Sequence, residues 1–483
     1  MVISDASKLL ENLLAQPREC EWLEFKENNF QPEDVGEYVS ALANSAMLLG
    51  ERCGYLVFGI EDKTCKVVGT KLRLKDEKVG GDSFEHWLNR LLDPRLNVSI
   101  SSLDFNGKHI EMIMIDPAYQ RPVRFKNTAY IRIDSVKKKL IEYPERERSL
   151  WFLTSKYHYE DGIAAFHQSQ SDILDNFFCD QLLKMLGEPK LSEKGMIHRL
   201  LVENLIRDDR QGAFDVTNLM VILAAKDVSL FPSVQRKSVR VIRYKGNSKL
   251  EGSQEQVGQR GYAIGFKSML KYIMSQLPQS EKMLHGIRVK EYLCPEISLR
   301  EFIANALIHQ DLTSTGDGPV IEIFNNRVDI TNPGAPLVEP ERFIDAPAKS
   351  RNERLAGIMR RLGICEERGS GVDRALDEIE RQALPPPLFT KLQNSTSVSV
   401  LGSKPFGMMT KDERSRACYQ HCVLRYISHQ PMSNSSLRAR FGLDKRNYTQ
   451  VSAVIKDAMD GGLIKPLDYD QANRNARYIP VWA

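Results

Sequence analysis

A chain of 483 residues is longer than the roughly 250 to 300 residues at which one hydrophobic core stops growing, so three or four domains are expected. Hydrophobic residues at 42% and charged residues at 27% exclude a disordered or collagen-like chain, and the longest unbroken apolar run, 219–225, is far short of the about 20 residues that span a bilayer, which excludes a membrane protein. The net charge of +4 is concentrated, with 11 Lys and Arg against 7 Asp and Glu in residues 412–483, and seven basic residues against one acid between 117 and 140.

The opening segment, MVISDASKLLENLL, has no basic leader, long apolar stretch or cleavage site, so secretion is not expected. Ser4 can cap a short helix reaching Leu14. CEWLEFK then alternates as a strand, EDVGEYVSALANSAMLL repeats as an amphipathic helix, and CGYLVFGIED is apolar enough for a central strand. Segments 98–105 and 109–115 flank Asn106-Gly107, the strongest short hairpin signal, and AYIRID supplies another strand. This α+β domain is expected to close at 148, with EYPERERS as a linker. Residues 149–285 read as a helical connector with a small mixed region containing the strand VRVIRYKG. A further mixed domain is expected over 286–403, ending in the strand SVSVLG, and 412–483 reads as helical and then turn-rich. Eight scattered cysteines without a Cys-x-x-Cys pair fit a reducing cytoplasm and not a zinc framework.

Glu24-Phe25-Lys26 places a carboxylate and an ammonium two apart, hence on one face of a strand. Such a pair suits phosphodiester chemistry, the carboxylate binding a divalent cation while the lysine stabilises developing charge. Glu61-Asp62 closes the apolar strand 55–60, so one of these acids could meet Glu24 across neighbouring strands. Glu19 has the opposite parity to Glu24, and convergence requires it to lie before the strand or on a bulge. Carboxylates at strand ends are otherwise simply solvated. The seven basic residues of the second excess, Arg121, Arg124, Lys126, Arg132, Lys137, Lys138 and Lys139, suggest a polyanion partner, although a solvated charged surface reads equally well.

Glu19-x-x-x-x-Glu24-Phe25-Lys26, the Ala43-Asn44 helix, Gly54-Tyr55-Leu56-Val57-Phe58-Gly59-Ile60-Glu61-Asp62, Val68-Gly69 and Tyr130-Ile131-Arg132 together resemble the Schlafen-type Alba-like domain over about the first 145 residues. The resemblance implies nucleic-acid binding and, in nuclease members, RNA cleavage at a three-acid site dependent on Mg2+ or Mn2+. It gives Glu19 and Glu24 as two acids, Asp62 as the third, and Glu61 as a rival, because Gly-Ile-Glu-Asp stands where Schlafen members usually show two aspartates. Lys26 is read as catalytic from its spacing to Glu24 on the strand. No cysteine and histidine cluster reproduces the zinc site of animal Schlafens. Many bacterial relatives are described only as DNA-binding regulators, which keeps binding without catalysis open.

Glu301, Asn305 and His309 are each four apart and share one helix face. A carboxylate and an amide one turn apart could hold magnesium and position water near a phosphate. Ser298 and Glu301 also match a capping box, in which Glu301 only satisfies a backbone N–H. Arg300-Glu301, Asn305-Ala306-Leu307-x-His309, Asn332-Pro333-Gly334, Ser350-Arg351-Asn352 and Gly369-Ser370-Gly371 resemble the ATP-binding module of bacterial Alba-like regulators, related to the ATPases of gyrase, histidine kinases and MutL. That resemblance implies an ATP site with Glu301 as general base, Asn305 as magnesium ligand, Asn332 and Gly334 at the adenine signature, and Gly369, Ser370 and Gly371 as the phosphate loop. Asn332-Pro333-Gly334 replaces the better-known Asp-x-Gly signature, with Asp329 nearby.

Asn434 to Gly442 resembles the first helix and turn of a helix-turn-helix, 448–460 a recognition helix, and Gly461-Gly462-Leu463-Ile464 with 473–479 a winged helix's terminal hairpin. Arg438, Arg440, Lys445 and Arg446 are expected to meet phosphates, with Gln450 or Ser452 nearer base edges. The expected architecture is multidomain α+β: a Schlafen/Alba-like domain (1–148), a helical and mixed connector (149–285), a Bergerat-like ATP-binding α/β sandwich (286–403) and a winged helix-turn-helix (412–483). The expected function is a cytoplasmic, nucleotide-responsive, nucleic-acid-binding protein with metal-dependent nuclease activity favouring RNA, slow ATPase activity, a role in phage defence suggested by family resemblance, and room for homo-oligomer formation. A non-enzymatic, ATP-binding transcriptional regulator on DNA is the alternative.

Overall fold

A computed structural model describes the chain except at residues 1, 4–5, 17–18, 63, 97, 156–157, 210–211, 285–286, 315, 317, 348, 366–370 and 469–475, with backbone alone at 2–3 and 280–291. The chain divides into two compact units, one of residues 1–173 and 200–218, the other of 174–199 and 219–483. Residues 149–285, expected as a connector, are therefore shared between the units and form no body of their own. No helix among the described residues is long and apolar enough to cross a membrane.

The first unit contains a four-stranded sheet in the order Leu23–Lys26, Gly54–Phe58, Lys108–Ile115, Val98–Phe105, with the first pair parallel and the rest antiparallel. Leu23 and Phe25 pack with Tyr55 and Val57 in one core, while Leu56 and Phe58 join Val35, Val39 and Leu42 of the helix Pro32–Leu49 in another. Strand alternation therefore turns Glu24 and Lys26 away from Leu23 and Phe25. Proline at the start of that helix, Glu33 and Asp34 in its first turn, and Gly50 at φ 70° after its end are the expected punctuation. The helix also holds a second four-stranded sheet, Val136–Lys139, Thr128–Ile133, Arg124–Phe125, Leu92–Asp93. Asn44 donates to the carbonyls of Val123 and Tyr130 at 2.9 and 2.8 Å, and the Arg132 N–H donates to Ser45 Oγ at 2.9 Å. Asn106 and Gly107, at φ 53° and 74°, close the expected hairpin. The expected linker at EYPERERS is instead part of the helix Pro144–Ser155, whose proline start and first-turn Glu145 and Glu147 favour helix.

The second unit is built on a six-stranded sheet in the order Ser253–Val257, Arg240–Tyr244, Val320–Ile323, Arg327–Pro333, Ser395–Leu401, Leu388–Lys391, with only Arg240–Tyr244 and Val320–Ile323 parallel. VRVIRYKG thus contributes to this sheet from upstream of the expected boundary at 286. Along Arg327–Pro333 burial alternates, so Val328, Ile330 and Asn332 share the inward side. The helix Glu296–His309 lies against that strand and packs on the helix Gly371–Arg381.

Three helices, Lys411–Ile427, Asn434–Arg440 and Tyr448–Asp460, follow, with the two-stranded pair Ile464–Pro466 and Tyr478–Pro480. Capping boxes at Thr410/Glu413 and Ser433/Ser436 start the first two helices. Cys418, Cys422, Leu437, Val451 and Ile455 form their shared core.

Candidate functional site: an ion-paired acid cluster and a sheet-facing cavity

In the first unit, reciprocal backbone hydrogen bonds between Cys20 and Leu23, both 3.2 Å, fold the chain back on itself. This places Glu19 before the strand, where its Oε1 accepts the Phe25 N–H at 2.8 Å. Glu24, 3% exposed, takes Lys26 Nζ on Oε1 at 2.7 Å and Arg132 Nη1 on Oε2 at 2.5 Å. Arg132 Nη2 stands 3.8 Å from Glu19 Oε2, and the guanidinium also donates to the carbonyls of Leu23 and Ser135, each at 3.0 Å. Tyr38 accepts from Lys26 at 3.3 Å, and both Lys26 and Lys137 sit 4.5 Å from its ring centre.

Burial, then the neighbouring Glu24 charge, pushes the Glu19 carboxyl up to about 7, against the Phe25 N–H and Arg132; Asp62 adds to the rise. Burial and Glu24 likewise push Tyr38 up to about 12. Burial alone would lower Lys26, but its bond to Glu24 holds it above the ordinary lysine value. The three expected acids are thus within electrostatic reach, yet no group of three or more metal-ligating side chains is found among the described residues. Both Glu24 oxygens face cations, and Glu19 keeps its proton up to about neutral pH. As arranged here, the acids do not fit a divalent metal. Glu61 accepts from Thr64 beyond the strand, and Asp62 is exposed.

The basic stretch is largely paired. Lys126 meets Glu33 at 2.5 Å, and Lys137 meets Asp34 and Glu37 at 2.5 and 2.6 Å. Arg132, expected to bind nucleic acid, has a side chain with 0% exposure and cannot present its guanidinium to a phosphate, because the Glu24 pair and two carbonyls enclose it. Arg124, Lys138 and Lys139 are exposed. Among the tail residues, Arg440 is 5% exposed and donates to the Leu384 carbonyl at 2.8 Å, so it too is no surface contact. Arg438 donates to Asn434, Arg446 pairs with Asp444 at 2.7 Å, and Lys445 is exposed.

In the second unit, a cavity of about 540 Å³ opens against the sheet. Asn305 and His309 of one helix, Ile330 and Asn332 of one strand, Thr396 and Val398 of the next, and Gly371 at a helix start line it. Lys349, Arg351 and Arg360 bring positive charge to its wall. Asn332 lines it by strand parity, whereas Asp329 lies on the opposite parity and pairs with Arg327 at 2.9 Å. Gly334, at φ 100°, would place a Cβ 2.9 Å from Asp311 Cβ, so only glycine fits that turn. Asn352 donates to the carbonyls of Ile308 and Gln310 at 3.0 and 2.8 Å, closing the end of the Asn305 helix. Burial, then Arg351, lowers His309 below the usual histidine range.

Glu301 is not on the cavity wall. It is 1% exposed, with Oε1 2.7 Å from Arg300 Nη1 and 4.0 Å from Arg374 Nη1. The capping alternative fails as well: the helix starts after Pro295, and Ser298 donates to the Ala375 carbonyl at 2.8 Å. Gly369 and Ser370 lie outside the described residues. Sequence reasoning passed over Lys349, Arg360 and Thr396. Lys349 adjoins the Ser350-Arg351-Asn352 motif and Thr396 alternates with Val398 in the SVSV strand, which were the available signals. Tyr38 had none beyond its helix position.

Residues 19–141 match the family model described as "Schlafen, AlbA_2". Residues 316–400 match one described as "Putative ATP-dependent DNA helicase recG C-terminal". No curated protein matches the sequence. Among solved structures, the DIP2311 protein from Corynebacterium diphtheriae is similar at 15% identity over 98% of this chain and 96% of that one, with a TM-score of 0.41. The chain thus joins an N-terminal Schlafen AlbA_2 domain to a C-terminal ATPase-like domain, a multidomain α+β architecture of the expected kind.

Proposed function

We propose that this chain is an ATP-binding, nucleic-acid-binding regulator that senses the nucleotide more than it consumes it. The observation carrying this reading is the cavity of about 540 Å³, which lies within the range of ordinary ligand pockets and combines an apolar wall with a few polar groups. Asn332 and Thr396 would face the adenine edge, and Lys349, Arg351 and Arg360 would neutralise the triphosphate. The Asn305 side-chain oxygen would face the magnesium that accompanies the nucleotide, whose phosphates supply further ligands. Glu301 is held by Arg300 away from the wall, so it is poorly placed to take a proton from water.

The Schlafen domain and the C-terminal three-helix unit, read as a winged helix-turn-helix, would contact nucleic acid. Arg124, Lys138 and Lys139 would serve in the first, and Lys445, Arg446 and the helix Tyr448–Asp460 in the second. All eight cysteines are free thiols, which fits work in a reducing cytoplasm. A second reading, a metal-dependent nuclease, draws on Glu19 sensing both Glu24 and Asp62; its preference for RNA and a role in phage defence rest on the family resemblance alone. It requires Arg132 and Lys26 to yield Glu24 to a cation.

Calorimetric titration with ATP and Mg2+ tests the leading reading. Wild type and Glu301→Gln should bind alike, Asn305→Ala should lose magnesium-dependent binding, and phosphate release should be minimal throughout. Absence of binding by wild type would overturn the reading. Incubating labelled tRNA and single-stranded DNA with Mg2+ or Mn2+ separates the two readings: cutting by wild type but not by Glu24→Ala would establish the nuclease.

A further inference from the structure

The helix Gly371–Arg381 has its two ends in different environments. Gly371 and Val372 line the cavity, and Val372 also packs with Leu376 into the core of the C-terminal helices. At the other end, Glu380 Oε2 is hydrogen-bonded to His421 Nδ1 at 2.8 Å, and His421 Nε2 meets Ser436 Oγ at 3.1 Å. One carboxylate thereby reaches both the helix Lys411–Ile427 and, through the imidazole, the helix Asn434–Arg440. Phe389 runs alongside as a second strut. It lines the cavity, packs edge-on against Phe302 and Phe343 at 5.8 and 5.4 Å, and touches the same C-terminal core.

The Glu380 contact is incomplete. Arg440 Nε stands 3.9 Å from Glu380 Oε1, too far for a hydrogen bond, and Nε and Nη1 of this enclosed guanidinium find no acceptor among the described residues. Glu380 Oε1 is likewise without a hydrogen bond among them. Buried donors and acceptors left in this state are costly, and joining them would recover that cost at the expense of moving one of the two packed helices. Linkage between distant sites requires a packed element that has a second such arrangement within reach.

We propose that the helix Gly371–Arg381 couples the cavity to the C-terminal helices, with Glu380, His421 and Arg440 forming a latch that closes when the cavity is filled. The inference rests on the nucleotide-binding reading and adds to it a route and a direction. Glu380, His421 and Arg440 act as positioning residues, since none of them lines the cavity. Filling the cavity at Gly371 shifts the helix, Glu380 Oε1 engages Arg440, and the C-terminal three-helix unit is held more firmly.

Hydrogen exchange of the full-length protein, with and without Mg2+ and ATP, tests this, with ATP affinity measured in parallel. In wild type, exchange across residues 411–460 should slow on adding nucleotide by at least about fivefold, the lower end of ordinary coupling. In Glu380→Gln and in His421→Gln the slowing should be lost while ATP still binds, a loss that a purely structural role would not produce. ATP binding with unchanged or faster exchange in wild type, or full slowing in both folded variants, overturns the latch and leaves the nucleotide reading intact. No ATP binding by wild type overturns both.

Discussion

At Glu19, burial and the Glu24 charge both oppose ionisation, which links the first unit's stability to pH. Because the folded carboxyl titrates at about 7, above its ordinary value, its stabilising contribution is complete below about pH 4.5 and is lost as pH rises through about 7. Glu19→Gln mimics the protonated form. Its melting temperature relative to wild type should therefore rise between about pH 5 and pH 8, and parallel pH curves would contradict this account. Arg132→Met leaves Glu24 buried without its main partner and should cost about 3 to 5 kcal/mol in chemical denaturation. Ala at both Lys138 and Lys139 should instead leave stability unchanged and reduce the logarithmic salt slope of nucleic-acid binding by about 0.7 to 0.9 per lost contact. Strand parity was enough to pair Glu24 with Lys26, and it stated the condition under which Glu19 could join them. Counting charge between residues 117 and 140 could not show that Glu33, Asp34 and Glu37 would neutralise Lys126 and Lys137, because those acids lie about a hundred residues earlier on a helix that meets them only in the fold.

Several single elements carry more than their sequence signals suggest. The turn at Gly334 supports the end of the Asn332 strand, where φ is 100° and Asp311 leaves no room for a Cβ. Gly334→Ala should destabilise the second unit by about 1 to 3 kcal/mol in thermal or urea unfolding and weaken ATP binding. A variant matching wild type in both would show that the turn does not shape the cavity. The helix carrying Glu301 and Asn305 was legible as a helix with one shared face. Its start was not, since Ser298-x-x-Glu301 has the spacing of a cap while Pro295 supplies the actual boundary. Nor did the sequence separate Glu301 from the cavity: residues four apart lie on one face, but each subtends enough arc that Arg300 and Arg374 can capture one carboxylate beside an amide that reaches the pocket. Local periodicity marks Arg240–Tyr244 as a strand but not its neighbours, because its parallel pairing with Val320–Ile323 is a long-range contact that periodicity does not encode.

For the whole molecule, an N-terminal Schlafen AlbA_2 domain and a C-terminal ATPase-like domain share one chain with a terminal three-helix unit. The central claim is that nucleotide in the cavity alters how the protein holds nucleic acid. By linkage, a ligand that shifts the C-terminal helices changes the affinity at their surface to the extent that the nucleic acid distinguishes the two arrangements. The direct measurement is fluorescence anisotropy of a labelled mixed-sequence DNA duplex titrated with full-length protein, with and without Mg2+ and ATP, at one fixed ionic strength. The account predicts a change in dissociation constant of at least about fivefold with nucleotide, absent in Asn305→Ala. Identical binding curves for wild type under conditions where calorimetry shows the cavity filled with ATP would contradict it.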